Sequence, residues 1–153
     1  MNKINSFRGE NYYLSNFFET PVTYDGLTYR NNEAAFQAQK TLDRKERESF
    51  CHMNPSEAKK TGRHVKLRKD WEQVKVDIMR EIVQAKFEQH PELASKLIAT
   101  GDCYLEEGNT WGDRTWGTVN GQGTNYLGHI LMEVRSIEKE RNEELEAEEP
   151  ELE

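Results

Sequence analysis

One short segment combines side chains that could act together on a sugar. In the stretch 33–40, the residues Glu33, Phe36, Gln37 and Lys40 fall on one face if the segment is helical. A carboxylate, an aromatic ring, an amide and an amine on one face are typical of a pocket lining. Glu33 and Lys40 would lie about 10 Å apart along the helix, so they could contact opposite parts of one ligand. Alternatively, both charges are solvated and Phe36 alone is buried.

The position of Glu33 predicts its ionisation state. Asn31 or Asn32 can cap the helix, which places Glu33 in the first turn. The positive end of the helix dipole favours an ionised carboxylate there. An ionised Glu33 suits the positioning of a ribose hydroxyl, the activation of water or the stabilisation of a positive sugar centre. It suits a general acid less well, because an acid needs a raised pKa.

A glycine-rich stretch, 108–123, is the second candidate region. It holds Trp111, Trp116 and one carboxylate, Asp113. Loops of this length are usually functional or disordered, and two tryptophans argue against disorder. Trp116 either fills the core or stacks on a base, and Trp71 has the same alternatives, although its helical periodicity favours core packing. The stretch lacks the glycine motifs that bind ATP or dinucleotides.

The pattern of the chain predicts the elements that position these residues. Residues 12–29 are predicted to be β-rich, with a hairpin turn at Asp25-Gly26. Capping residues and helical periodicity predict helices over 33–40, 56–60, 70–90 and 92–99 and from about 125 into the tail, with a short strand over 103–106. We therefore expect an α+β fold, a single compact, mostly helical domain with a small β-rich N-terminal part.

Charge divides the 153 residues into two parts. Residues 138–153 hold nine acidic and two basic residues, which accounts for the whole net charge of −7. We expect a domain over 1–137 and an acidic C-terminal tail over 138–153 that is an extended helix or disordered. The absence of net charge on the domain argues against non-specific binding of duplex nucleic acid through many phosphate contacts. It is compatible with a local basic pocket for phosphate.

Cysteine and histidine usage excludes several classes of protein. Cys51 and Cys103 are too few for a disulfide framework, and the four histidines lack the spacing of zinc ligands. We expect no metal and no cofactor. The chain has neither an apolar signal segment near its start nor a run of about 20 apolar residues. These features predict a cytoplasmic protein with no membrane association.

Nine segments resemble, in order, the NADAR family of YbiA-like proteins. They cover about four fifths of the chain and comprise YLSNF (13–17), YDGLTYRNNEAAFQAQK (24–40), PSEAKKTGR (55–63), LRKDWEQVKVDIM (67–79), AKFEQHPEL (85–93), LIATGD (97–102), LEE (105–107), DRTWG (113–117) and NYLGHILMEVR (125–135). Several motifs in order make the resemblance far more specific than any one of them.

The resemblance implies N-glycosidase activity without a cofactor. It implies two classes of substrate. One is a riboflavin-pathway ribosylaminopyrimidine phosphate, in which the bond between ribose 5-phosphate and the pyrimidine is cut. The other is ADP-ribosylated guanine in nucleic acid, and an ADP-ribosyltransferase toxin would then be a functional partner. The alternative is a module that binds ADP-ribose or another nucleotide without cutting it.

The resemblance also assigns residues to the site. The implied catalytic residues are Glu33, Lys40 and Asp113, and the implied substrate-binding residues are Asn16, Phe17, Gln37, Arg68, Trp71, Trp116 and Asn125. Lys40 either holds a phosphate or attacks the ring-opened ribose as an amine. Asp113 could assist the leaving base. Some members have WGDG where this sequence has Trp116-Gly117-Thr118-Val119, so Asp113 would have to supply any carboxylate that the loop needs.

Overall fold

The computed structural model describes residues 2–148 and shows an α+β fold in which helices dominate. The predicted fold class is confirmed. The strands are β1 (Lys3–Ile4), β2 (Glu19–Tyr24), β3 (Leu27–Asn31) and β4 (Tyr104–Leu105), and the helices are α1 (Asn32–Ala38), α2 (Arg44–Ser49), α3 (Pro55–Gly62), α4 (Trp71–Gln89), α5 (Pro91–Ala99) and α6 (Tyr126–Glu148). Short 3₁₀ helices cover Gly9–Leu14 and Phe50–His52. Within residues 2–148, no helix has the length and apolar character needed to cross a membrane.

Strands β2 and β3 form the predicted hairpin. The turn residues Asp25 and Gly26 have φ values of 49° and 83°, and a two-residue type I′ turn requires such positive values at both positions. Val22 pairs with Tyr29 across the hairpin, and both side chains are buried. The β-rich prediction was wrong for residues 12–18, which precede β2, and in the 3₁₀ helix over Gly9–Leu14 both Tyr13 and Leu14 are buried.

Helix α1 lies in the core and presents Glu33 at its first turn. Asn31 caps the helix, because its side chain accepts a hydrogen bond from the N–H of Ala34 at 2.8 Å. Ala34, Ala35 and Ala38 are fully buried. Their small side chains allow α3, α4 and β3 to pack closely around α1.

Helix α1 ends at Ala38, two residues before the predicted end. The N–H groups of Gln39 and Lys40 donate to carbonyls three residues back, each at 3.1 Å, which tightens the last turn. The carbonyl of Lys40 then accepts a hydrogen bond from the N–H of Arg68 at 2.8 Å. The chain around Lys40 is therefore tied to the segment that precedes α4.

Helix α2 was not predicted from the sequence, whereas helices α3 to α6 follow the predicted order with small shifts of their ends. Helix α3 begins at Pro55 behind a capping box in which Asn54 and Glu57 bond to each other's backbone. Helix α6 continues through Glu148, and Glu138 is buried where it accepts a hydrogen bond from Gln84 of α4 at 2.8 Å. The predicted tail is thus helical as far as residue 148. Residues 149–153 lie outside the described part, and the predicted domain boundary stays a prediction.

The start of the chain packs beside the strand that leads into the glycine-rich stretch. Strand β1 pairs in parallel with β4, in the register Lys3–Tyr104 and Ile4–Leu105. Lys3 also forms an ion pair with Glu106 at 2.6 Å. These contacts fix the point at which the loop between β4 and α6 leaves the domain body.

Candidate active site

A pocket of about 460 Å³ lies among α1, α3, α4 and the loop between β4 and α6. This volume is within the range of sites for small molecules. Eight of the ten predicted site residues line it, namely Asn16, Phe17, Glu33, Gln37, Lys40, Trp71, Asp113 and Trp116. The two that do not line it are Arg68 and Asn125.

Glu33 is held at the start of α1 by both its backbone and its side chain. Its N–H donates to the carbonyl of Asn16 at 3.1 Å, and its Oε2 accepts a hydrogen bond from Nε2 of Gln37 at 3.0 Å. Burial raises the pKa of Glu33, whereas Gln37 and the charges of Lys59 and Lys40 lower it. Burial therefore opposes the effect of the helix dipole on Glu33, and the ionised form expected from the sequence stays a prediction.

Lys40 shares the pocket with Glu33 and has an altered affinity for its proton. Burial lowers the pKa of Lys40, and the cations Arg63, Lys59 and Lys75 lower it further, whereas Glu33 raises it. A lowered pKa increases the fraction of neutral amine at a given pH. Only the neutral amine is a nucleophile, so the site favours such a role for Lys40 more than a solvated surface would.

An aromatic cluster forms one wall of the pocket. The ring of Phe36 lies 5.1 Å from Trp71 and 5.3 Å from Trp116, measured between centroids. Trp116 in turn lies 5.8 Å from Tyr126. Trp71 is 6% exposed and belongs both to the core and to the pocket wall, so core packing is confirmed and stacking on a base stays a prediction.

Asp113 shapes the loop that carries Trp116. Its Oδ1 accepts hydrogen bonds from the N–H groups of Thr115 at 3.0 Å and Trp116 at 2.9 Å. The side chain of Asn109 braces the same turn by bonding both the N–H and the carbonyl of Asp113. The position of Trp116 in the pocket thus depends on the carboxylate of Asp113.

Asn16 and Phe17 reach the pocket from the segment that follows the first 3₁₀ helix. The side chain of Asn16 is buried, where it accepts a hydrogen bond from Asn32 at 3.3 Å and donates to the sulfur of Met79 at 3.4 Å. Phe17 lies 6.0 Å from the ammonium group of Lys59. Asn16 therefore links α1 to α4, and Phe17 is free to contact a ligand.

Arg68 is not part of the pocket, which corrects the prediction. Its guanidinium group forms a two-point ion pair with Asp70, at 2.6 and 3.1 Å, and donates to the carbonyl of Gln39 at 3.4 Å. It lines a separate cleft beside Tyr24. The acidic partner two residues away turns Arg68 outward, so this residue positions Lys40 through the backbone rather than touching a ligand.

Asn125 also has a structural place, contrary to the prediction. It is buried, has a φ of 55°, and its side chain donates to the carbonyl of Leu105 at 2.9 Å. Its Oδ1 accepts the N–H of Glu107 at 3.0 Å. Asn125 therefore joins the end of the loop to the backbone at its start instead of lining the pocket.

Thr118, the position that departs from WGDG, faces away from the pocket. Its buried hydroxyl donates to the carboxylate of Glu106, and it lines a different cleft near Lys3. A threonine at this position therefore removes no carboxylate from the pocket described here.

Glu107, Lys59 and Lys75 line the pocket but were not assigned from the sequence. Burial raises the pKa of Glu107 to about 8, the carboxylates of Asp113 and Glu33 raise it further, and Lys59 lowers it. The signal in the sequence was a pair of acidic residues directly after a strand. Neighbouring residues of an extended chain point to opposite sides, so one of the two acidic side chains, Glu106 or Glu107, is expected to face the pocket.

Comparisons with known proteins show the family to which the chain belongs. Residues 5–137 match the NADAR domain model. The chain is 46% identical over 133 residues to N-glycosidase YbiA of Shigella boydii, with 82% of each chain covered. It is 37% identical over 127 residues to a riboflavin biosynthesis protein of Vibrio vulnificus, in which the match covers 34% of that longer protein. The NMR structure of Escherichia coli YbiA matches with a TM-score of 0.81 at 40% identity, over 98% of this chain and 90% of that chain. The chain belongs to the NADAR family.

Proposed function

We propose that this chain hydrolyses the N-glycosidic bond between ribose and a base in a phosphorylated substrate. The observation that supports this most strongly is one enclosed pocket in which the carboxylate of Glu33 lies within reach of the charges of Lys40 and Lys59 and beside an aromatic wall. Relatives from Shigella boydii and Nostoc punctiforme that are named N-glycosidases support the same reaction.

The reaction requires a group that stabilises positive charge on the sugar. Hydrolysis of a glycoside passes through an oxocarbenium-like state, and a carboxylate next to the anomeric carbon either stabilises that charge or takes a proton from water. The amide of Gln37 and the cations around Glu33 favour its carboxylate form against the effect of burial. Glu33 in this form performs one of these two tasks.

Lys40 acts either on the sugar or on the phosphate. The lowered pKa of its amine suits attack on the ring-opened ribose, which forms a Schiff base and is then hydrolysed. Lys59 and Lys75 lie in the same pocket, where Lys75 also pairs with Glu72 at 2.7 Å, and both can contact a phosphate. The base of the substrate stacks on Trp116, with Trp71 at the edge of the same wall.

The riboflavin-pathway ribosylaminopyrimidine phosphate is the substrate that we favour. Relatives named riboflavin biosynthesis proteins occur in Vibrio vulnificus and Zea mays. ADP-ribosylated guanine in nucleic acid is the second candidate, with an ADP-ribosyltransferase toxin as the functional partner. In its favour, Trp111 is 54% exposed at the pocket and lies 6.0 Å from the ammonium of Lys59, so a neighbouring nucleotide could stack there.

A side-by-side assay tests the proposal. The purified chain is incubated with the ribosylaminopyrimidine phosphate and with DNA that carries ADP-ribosyl-guanine, and the released base is measured by chromatography. Release of base from the ribosylaminopyrimidine phosphate, with little release from the DNA, supports the substrate that we favour. The reverse result would identify ADP-ribosyl-guanine in nucleic acid as the substrate. Binding of either substrate without release, measured by calorimetry, would show a binding module and overturn the proposal.

A further inference from the structure

Glu107 is a pocket carboxyl group that the mechanism above leaves unused. It is the second residue after β4 and lines the same pocket as Glu33 and Asp113. Its neighbour Glu106 faces the other way, where Lys3 and Thr118 bind it. Of these two adjacent acids, Glu107 is therefore the one that a ligand can contact in this pocket.

The backbone of Glu107 is fixed from two directions. Its N–H donates to Oδ1 of Asn125 at 3.0 Å. Its carbonyl accepts hydrogen bonds from the N–H of Thr118 at 2.9 Å and from Nδ2 of Asn109 at 3.3 Å. The location of the side chain is thus set by the loop before any ligand binds.

The carboxyl group itself lacks such partners. Its Oε2 is shielded from solvent and has no hydrogen-bond partner among residues 2–148. The backbone of Gly117 lies against it, because a Cβ at Gly117 would overlap both the carbonyl oxygen and Oε2 of Glu107. A buried charged oxygen without a donor is costly, and a proton on the carboxyl group removes that cost.

The surroundings of Glu107 and Glu33 differ in a way that separates an acid from a base. Burial and Asp113 raise the pKa of Glu33 as well, but Glu33 accepts a hydrogen bond from Gln37 and is near two cations, Lys40 and Lys59, which oppose that rise. Glu107 faces the carboxylates of Asp113 and Glu33 and one cation, Lys59. Burial and the two carboxylates raise the pKa of Glu107 to about 8. Two titratable groups whose environments differ in this way can divide acid and base catalysis between them.

We propose that Glu107 is the proton donor to the departing base, an inference that rests on the proposed function. The bond between C1′ and the base nitrogen breaks, its electron pair moves to the base, and the base takes the carboxyl proton of Glu107. Water adds to C1′ and gives a proton to the carboxylate of Glu33. Exchange with solvent returns Glu33 to its carboxylate and Glu107 to its acid, so the products are the free base and the free ribose phosphate.

Activity as a function of pH provides the first test. The wild type should release base from the ribosylaminopyrimidine phosphate with a rate that falls on the alkaline side, where the donor loses its proton. We expect Glu107→Gln to lower kcat by about 100-fold or more with a small change in KM and to abolish the alkaline decline. Glu106→Gln is the matched control and should keep the decline. A normal rate in Glu107→Gln, or a decline that persists there and is lost in Asp113→Asn, would overturn the proposal.

A measurement without substrate separates this inference from the proposed function. Carboxyl ¹³C NMR of the ligand-free full chain, with the Glu107 signal assigned through Glu107→Gln, should show Glu107 titrating near neutral pH. Titration in the ordinary glutamate range would overturn the donor role even if the enzyme is active. If the wild type releases base from neither substrate, the proposed function fails, and the NMR titration alone then decides whether Glu107 retains its proton in the pocket. Circular dichroism of each variant verifies that it is folded.

Discussion

Gly62 and Gln37 lie so close that a methyl group on the glycine would overlap the amide of the glutamine. The same amide donates to the carboxylate of Glu33 at 3.0 Å. Helix α3 therefore sets the position of the side chain that orients Glu33, although Gly62 itself has no side chain to contribute.

We predict that Gly62→Ala lowers activity while the fold stays intact. The new methyl group must displace the end of the flexible Gln37 side chain, which costs little stability, but it breaks the alignment of Glu33. Small displacements of a positioned group lower rates by about 10- to 100-fold. Steady-state kcat/KM and the thermal midpoint of unfolding, measured on the same preparation, test both parts of this prediction.

A double-mutant cycle provides the control for Gly62→Ala. If the methyl group acts through Gln37, adding Gly62→Ala to Gln37→Ala should cause no further loss of kcat/KM. Equal losses from Gly62→Ala in the two backgrounds would show that the glycine acts by another route.

Glu33→Gln should abolish most of the turnover. The amide has the shape of the carboxylate but can neither stabilise a positive sugar as well nor take a proton from water, and we expect kcat to fall by about 100- to 10,000-fold. Glu88→Gln, at an exposed position of α4, is the matched control and should retain normal turnover. Near-normal release of base by folded Glu33→Gln would remove Glu33 from the centre of the site.

Borohydride trapping during turnover decides between the two roles of Lys40. Borohydride reduces a Schiff base to a stable amine, so if Lys40 attacks the ring-opened ribose, mass spectrometry of the digested protein shows ribose phosphate attached to the peptide that contains Lys40. Lys40→Arg retains the positive charge but lacks the nucleophile, and we expect neither adduct nor normal turnover from it. Turnover by the wild type without any adduct would leave Lys40 with the phosphate role.

The sequence was informative about the face of α1 because its signals are local. Helical spacing groups Glu33, Gln37 and Lys40, and Asn31 caps the helix through a residue three positions away. No local signal distinguishes Arg68 or Asn125 from a pocket residue. Arg68 pairs with Asp70 two residues away, and Asn125 bonds backbone groups about 20 residues earlier in the chain.

For a related reason, the sequence could not predict which of Glu106 and Glu107 faces the pocket. Strand alternation places Glu106 and Glu107 on opposite sides, but it does not say which side is the pocket. That choice depends on β1 pairing with β4 and on Lys3 binding Glu106, and both contacts join residues about 100 positions apart. The resemblance to a family predicted the fold class correctly without containing this information.

Lys86 is predicted to make the stability of the protein depend on pH. It is fully buried in α4, and its ammonium group donates to the carbonyls of Tyr13 and Ser15. Burial lowers the pKa of Lys86 from 10.5 to about 7. Between these two pH values the unfolded chain binds the proton more tightly than the folded chain, so the free energy of unfolding should rise as the pH increases from 7 towards 10.

Urea denaturation at pH 7, 8 and 9 measures this effect. We expect the free energy of unfolding to rise with pH in the wild type and in Lys45→Met, a substitution of an exposed lysine in α2, but not in Lys86→Met. A rise of equal size in Lys86→Met would assign the pH dependence to other groups.

The pairing of β1 with β4 has a practical consequence for protein engineering. Residues 3 and 4 are hydrogen-bonded beside the strand that leads directly to Glu106 and Glu107. An affinity tag or a fluorescent fusion attached close to residue 2 would therefore crowd the start of the loop between β4 and α6. The exposed last turns of α6 point to a safer attachment at the other end of the chain. For the same reason, a circular permutant that frees β1 should be harder to fold than one opened at the exposed hairpin turn between β2 and β3.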